Sequence, residues 1–312
     1  MVKFRVMHCI GFHRRWAQTC TAAVLLVLTF WGCGIKTEVT MPVSAKVAAA
    51  RTATLLEVLT MLKEYSDKIT SLSSTSVRVT LTTEKAESGK LQKYHAAPGY
   101  ILLRRPDDIL MNIQAPLTST TILELVSRGD QFEIWNPSDN KVYIGRNSAK
   151  AFELEENGQP LAFTARPIHI FQAILPQLIE LGQPDRRISF TEWQDAQAKY
   201  YILTLLQETG GPVMRVLRRL WVERSEMVVV REETYTETGQ VASIVDYSNP
   251  GRFDGVLLPR TIRIDRPIDG YSLDLRFNQW RVNPSLADSS FALNPPPEAQ
   301  RVILREKGNG DY

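Results

Sequence analysis

Beyond Cys33 this 312-residue chain has no cysteine, because Cys9, Cys20 and Cys33 are the three it contains. Whatever folds after that point holds no disulfide and must be stabilised by its own core. Histidine is nearly as scarce: past residue 32 there are His95 and His169, far apart in sequence. His-Glu-x-x-His and Gly-x-Ser-x-Gly are both absent, so zinc and thiol chemistry lack their ligands and nucleophiles. No cofactor, no metal and no enzymatic activity are expected. The adjacent acidic pairs Asp107-Asp108, Glu155-Glu156 and Glu232-Glu233 do not change this. Neighbours on a strand point to opposite faces, so such pairs read as solvated surface or turns. Basic clusters are missing too. The leader holds Lys3, Arg5, Arg14 and Arg15, and the 37 Lys and Arg against 34 Asp and Glu of the whole chain leave the remainder close to neutral. A phosphate-tracking surface has no electrostatic footprint here, which sets nucleic-acid binding aside.

What is present begins with the leader. Residues 1–32 carry those four basic residues and no acidic one, and run into an apolar stretch from Cys20 to Trp31. Spanning a bilayer takes roughly 20 apolar residues, so this stretch reads as a signal peptide. Arg14-Arg15 could mark twin-arginine export, and Met7 could be the start. The sequence Phe30-Trp31-Gly32-Cys33 resembles the lipobox of bacterial lipoproteins, which implies diacylglycerol on Cys33 as the new N-terminus. The alternative is an ordinary secretory leader in which Cys33 is incidental. Residues 33–50 are expected to be a tether, with Gly34 to Ala50 spanning roughly 23 Å as a flexible chain.

Thr54 and Glu57 are spaced as a capping box, and Leu55, Leu59, Leu62 and Ile69 share one face, which predicts a helix over 54–69. The period then changes to two: Val77, Val79 and Leu81 alternate with Arg78, Thr80 and Thr82, as a strand with one buried face requires. Strands are expected near 91–104, 109–113, 121–127, 132–135, 141–145, 188–193, 200–206, 214–223, 227–235, 240–247, 256–265 and 271–282. A second helical patch, 167–181, opens on Pro167, is expected to kink or split at Pro176 and ends at Gly182. Regular structure is expected to end at Asn294-Pro295-Pro296-Pro297. Strands this closely spaced leave no room for parallel crossovers. The fold class is therefore mainly β: an unclosed antiparallel barrel of roughly 11 to 13 strands, with helices covering or plugging the concave face. It occupies residues 51–297, with 298–312 as a tail.

Ala115-Pro116-Leu117-Thr118-Ser119-Thr120 before a strand, the patch Pro167-Ile168-His169-Ile170-Phe171-Gln172-Ala173-Ile174-Leu175-Pro176, and the hairpins from Leu220-Trp221 through Tyr247 and Pro259 to Phe291 together resemble the LolA/LolB lipoprotein-sorting group, its outer-membrane receptor LolB most of all. The resemblance implies an apolar cavity for the acyl chains of lipoproteins or lipids. It further implies a periplasm-facing outer-membrane lipoprotein, supplied by a periplasmic LolA-like carrier and expected to be a monomer. Gly34 after the anchor favours the outer membrane. Candidate cavity residues are the apolar positions of the alternating strands: Val77, Val79, Leu81, Ile109, Met111, Ile113, Leu123, Leu125, Ile262, Ile264, Leu273, Leu275 and Phe277. The plainer reading of each is ordinary core. Leu117, at a turn tip, either folds back or projects to touch lipid, as the matching leucine of LolB does. Two other roles stay open: a regulatory lipid-sensing module like RseB, and a structural accessory lipoprotein with no ligand.

Overall fold

The computed structural model describes residues 44–85, 90–149, 152, 155–156, 159–160, 165–176 and 182–306. The leader, Cys33, most of the tether and most of the stretch Lys150–Ala165 lie outside the described residues.

The chain enters through a short helix, α1 (Ala45–Ala48), inside the segment read as tether. Its alanines favour a helix intrinsically, and the Ser44 side chain accepts the Val47 amide as N-cap. Helix α2 (Leu55–Asp67) follows, and the Thr54/Glu57 capping box is present. The strands come next: β1 (Ser71–Lys85), β2 (Lys90–Arg104), β3 (Asp108–Gln114), β4 (Thr121–Arg128), β5 (Gln131–Asn136) and β6 (Lys141–Arg146). A small ladder, β7 (Glu155–Glu156) with β8 (Gln159–Pro160), precedes helix α3 (Pro167–Ile174). The second run is β9 (Arg186–Gln194), β10 (Lys199–Glu208), β11 (Met214–Glu223), β12 (Val228–Tyr235), β13 (Val241–Phe253), β14 (Val256–Arg266) and β15 (Tyr271–Phe277), then β16 (Arg281–Val282) and β17 (Gln300–Ile303). Helix α3 ends at Ile174, at the expected break, and residues 177–181 lie outside the described residues. Leu175, at φ −120° and ψ 73°, has left the helix because it precedes Pro176.

Fifteen strands form one unclosed sheet in the order β17-β6-β5-β4-β3-β2-β1-β15-β14-β13-β12-β11-β10-β9, with β16 beside β1. It is two meanders joined where β1 meets β15. The registers carry one apolar stripe across the joint: Val77, Val79 and Leu81 face Phe277, Leu275 and Leu273, and the latter two face Ile262 and Ile264. On the other side Met111 faces Leu125 and Ile113 faces Leu123. Helix α3 lies close against β3, β4 and β14 and buries Ile170, Phe171, Ala173 and Ile174 in this core. Gly145 is required by the same packing, since a Cβ there would stand 2.4 Å from the Phe132 ring.

The regular structure does not end at residue 297. After the proline run, β17 lies parallel to β6, with Gln300 opposite Lys141 and Ile303 opposite Ile144. The coil before it crosses the convex face of the first meander, where Leu286, Phe291 and Leu293 cover Leu102, Leu110 and Val126. Arg104 fastens that coil: it pairs with Asp108 at 2.6 Å and Asp288 at 2.8 Å and sits 4.9 Å over the Phe291 ring.

Candidate functional site

The second meander treats its concave face differently. Helix α2 crosses it and makes no backbone approach to a strand as close as that of α3. Val58 is its fully buried apolar residue, packed with Tyr201, Leu203, Leu220 and Val222, while Leu59, Leu62 and Val229 are only half-buried. Between helix and sheet lies a cavity of about 650 Å³. One wall is α2, through Leu56, Leu59, Leu62, Tyr65 and Ile69. Facing it are Leu220 of β11, Met227 to Val230 at the start of β12, Tyr247 of β13 and Leu257 and Leu258 of β14, with Ile174, Leu175 and Pro176 closing the side toward α3.

Directed polar contacts hold the helix across this hollow at both ends. Upstream, the Ala53 amide donates to the Tyr201 hydroxyl at 2.6 Å, and Arg224 donates to the Arg51 carbonyl at 2.7 Å and to Glu192 at 2.7 Å. The Arg224 guanidinium also lies 4.5 Å over the Tyr201 ring. Downstream, Arg105 donates to the Ile69 carbonyl at 3.0 Å and to the Ser66 hydroxyl at 2.9 Å, and Asn283 accepts the Thr70 amide and donates to the Lys68 carbonyl, both at 2.8 Å.

Several polar groups of the lining are occupied by the protein itself, while Lys46 and Glu226 also border the cavity. Tyr65 donates to the Leu257 carbonyl at 2.8 Å and Tyr247 to the Ala173 carbonyl at 2.8 Å. Burial holds the Tyr65 phenol far above its usual range, and burial followed by the negative charge of Glu232 does the same for Tyr247. Neither ionises at physiological pH. Glu223 accepts from the Ser225 amide and hydroxyl, both at 2.8 Å. Arg218 is paired with Glu232 at 2.7 Å on the concave face. The surface left for an occupant is therefore mostly hydrocarbon, with ring faces from the two tyrosines. Among the described residues no cluster of histidine, cysteine and carboxylates could hold a metal, and no helix is long and apolar enough to cross a membrane.

The candidates taken from the alternating strands sit elsewhere. Val77, Val79, Leu81, Ile109, Met111, Ile113, Leu123, Leu125, Ile262, Ile264, Leu273, Leu275 and Phe277 are all buried in the main core, and none lines the cavity. The missed lining residues carried a signal in Val228-Val229-Val230, an unbroken apolar run where a strand with one wet face alternates. Leu117 stands apart from both groups. At the tip of the β3–β4 turn, closed by the Ala115 amide on the Thr120 carbonyl at 2.8 Å, it is 97% exposed.

No family model matches the chain, and no curated protein matches it. Solved structures do. A DUF1329 family protein from Desulfovibrio piger superposes with a TM-score of 0.51 at 14% identity, covering 76% of this chain and 95% of its own. A LolA superfamily protein from Nitrosomonas europaea gives a TM-score of 0.46 at 15% identity, covering 78% and 99%. At these identities the first likeness extends to the fold, a large unclosed sheet with few helices.

Proposed function

We propose that the chain is a non-enzymatic carrier or acceptor of hydrocarbon chains, belonging to lipids or lipoproteins, that holds them in the hollow under α2. The observation that carries this reading is the lining. A cavity of about 650 Å³ falls within the roughly 300–1,000 Å³ of small-molecule sites, its lining is mostly apolar, and its two tyrosine hydroxyls are already bonded to protein. Each methylene moved from water into such a site gains about 0.8 kcal/mol, so an acyl chain of about fourteen carbons gains on the order of 10 kcal/mol. Handover between two apolar sites is then nearly neutral, and a bias of about 1.4 kcal/mol makes it tenfold directional.

In the finer reading the protein resembles LolB in role. It is anchored through a lipid on Cys33 to the outer membrane, faces the periplasm as a monomer, receives lipoproteins from a LolA-like carrier and presents Leu117 to the bilayer. The exposed position of Leu117 supports that last role. Mass spectrometry of lipids that co-purify with the protein, together with displacement of the fluorescent fatty acid cis-parinaric acid, tests the cavity. Bound acyl chains and tight displacement are expected; a reproducibly empty protein that ignores the probe overturns the reading. Leu117→Glu is expected to leave probe binding intact and to block delivery of lipoprotein to membranes, and unchanged delivery refutes the acceptor role.

A further inference from the structure

The apolar side chains that the fold leaves outside are not spread evenly over it. Consecutive strands alternate in direction, so hairpin turns fall at two opposite ends of the sheet. At one end are the turns β3–β4, β5–β6, β10–β11, β12–β13 and β14–β15; at the other are β2–β3, β4–β5, β9–β10, β11–β12 and β13–β14. Leu117 (97% exposed), Ile122 (44%), Val213 (67%), Met214 (38%) and Ile268 (49%) all belong to the first end. The second end has Trp193 at 50%, while Leu56 and Ile303 lie on α2 and β17.

Charge separates the turns that carry these tips from the turns of the opposite end. Ala115–Thr120 and Thr209–Val213 carry none, and in Pro267–Gly270 the single charge, Asp269, is paired with Arg266. Asp139 and Glu237 complete the described turns of that end, and Asp139 accepts from the Tyr143 hydroxyl at 2.7 Å. The opposite end carries Arg105, Asp107, Arg128, Asp130, Asp195, Arg224, Glu226 and Asp254 in or beside its turns. The three turns that carry the apolar tips thus hold no unpaired charge, whereas every described hairpin turn of the opposite end carries charged residues.

Each apolar tip stands four strands from the next in the sheet order, about 19 Å at the usual strand spacing of about 4.8 Å. Thr, Ser, Gly and Pro surround the tips, so they make no continuous patch for a folded partner to cover. Separate apolar points on turns without unpaired charge suit a lipid interface, into which each can dip alone while neighbouring hydroxyls stay among the head groups. We infer that this end of the sheet is a bilayer-docking rim, in which Val213 with Met214 and Ile268 are contact points additional to Leu117. The rim shares Leu117 with the proposed delivery role and does not depend on what fills the hollow.

Amide hydrogen exchange of the full chain, with and without vesicles of mixed phosphatidylethanolamine and phosphatidylglycerol, tests the inference. Several-fold slower exchange is expected at Gly210, Gly211, Val213 and Met214 and at Ile268–Gly270, together with Thr118–Thr120. In Val213→Glu/Ile268→Glu, whose altered side chains are outside the core, the slowing at both loops should vanish while exchange in β1 and β3 stays as in the parent. Slowing confined to Thr118–Thr120 overturns the rim and spares the role of Leu117; no slowing at any of the three overturns both. Slowing at the ionic end also overturns it, as does concentration-dependent self-association that the double variant abolishes without changing vesicle protection.

Discussion

The two meanders share one sheet, yet they use a helix in opposite ways. In the first, α3 is apolar almost throughout and lies directly on the strands, while a coil seals the outer face, so that β3 is buried on both sides. In the second, α2 is amphipathic and is fastened at its ends, by Tyr201 and Arg224 at one and by Arg105 and Asn283 at the other. A helix that settles by burial leaves no space, because contact with the sheet is its source of stability. A helix stabilised by directed contacts at its ends can stand off from the sheet. The hollow therefore follows from how α2 is attached rather than from a shortage of apolar residues.

The sharpest way to break this comparison is to excavate the solid half. Leu125→Ala removes a fully buried side chain from the main core and is expected to cost about 2–5 kcal/mol, read from urea denaturation. A loss below about 1 kcal/mol would show the first meander to be as loosely filled as the second. Detaching the helix comes next. Arg224→Ala removes the charged donor to the Arg51 carbonyl and the cover over Tyr201, and is expected to cost about 2 kcal/mol. Exchange in α2 should rise and cis-parinaric acid binding should fall, with β1 to β6 unaffected.

A smaller effect belongs to pH. His169, on α3, is mostly covered, and its buried Nδ1 has no hydrogen-bond partner. Burial first, then the positive charges of Arg266 and Arg166, hold it well below the usual histidine range. Asp269 lies 3.9 Å from Nδ1 but is already paired with Arg266. The unfolded chain therefore takes up a proton that the folded one refuses. Stability is full above the unfolded pKa and falls as pH drops below about 6.5, by no more than about 1.4 kcal/mol per pH unit. In thermal melts between about pH 6.5 and 5, His169→Gln should flatten that dependence. An unchanged slope would assign it to other groups.

How far the sequence carried this picture depended on whether a signal was local. The capping box at Thr54 and Glu57, the alternation Val77-Val79-Leu81 and the break at Pro176 each lie within a few residues, and the structure shows all three. The coil over Leu110 and Val126 has no period, and β17 is a short parallel edge strand after three prolines, so neither announces itself. Nor could the hollow, whose supports join Ala53 to Tyr201 and Tyr65 to Leu257 across the length of the chain. Alternation distinguishes an inner from an outer face, and it says nothing about whether a helix touches the inner one. That is why the alternating positions mark the solid core, while the wall of the hollow came from the helix and from a valine run.

The smallest expected effect sharpens the comparison most, because it asks whether a leucine can be removed at little cost. Leu59 faces the hollow and is half-buried, so truncation to alanine opens no new closed void and only widens a space that already exists. Leu59→Ala should cost about 1 kcal/mol or less, against the several expected for Leu125→Ala. The reverse change, Leu59→Trp, should leave the urea midpoint near that of the parent, since its added volume has room, and should displace cis-parinaric acid. If Leu59→Ala costs as much as Leu125→Ala, the helix rests on its side chains and not on its pinned ends. The contrast between the two halves of the sheet would then be one of degree, and the space beneath α2 would offer too little room for an acyl chain.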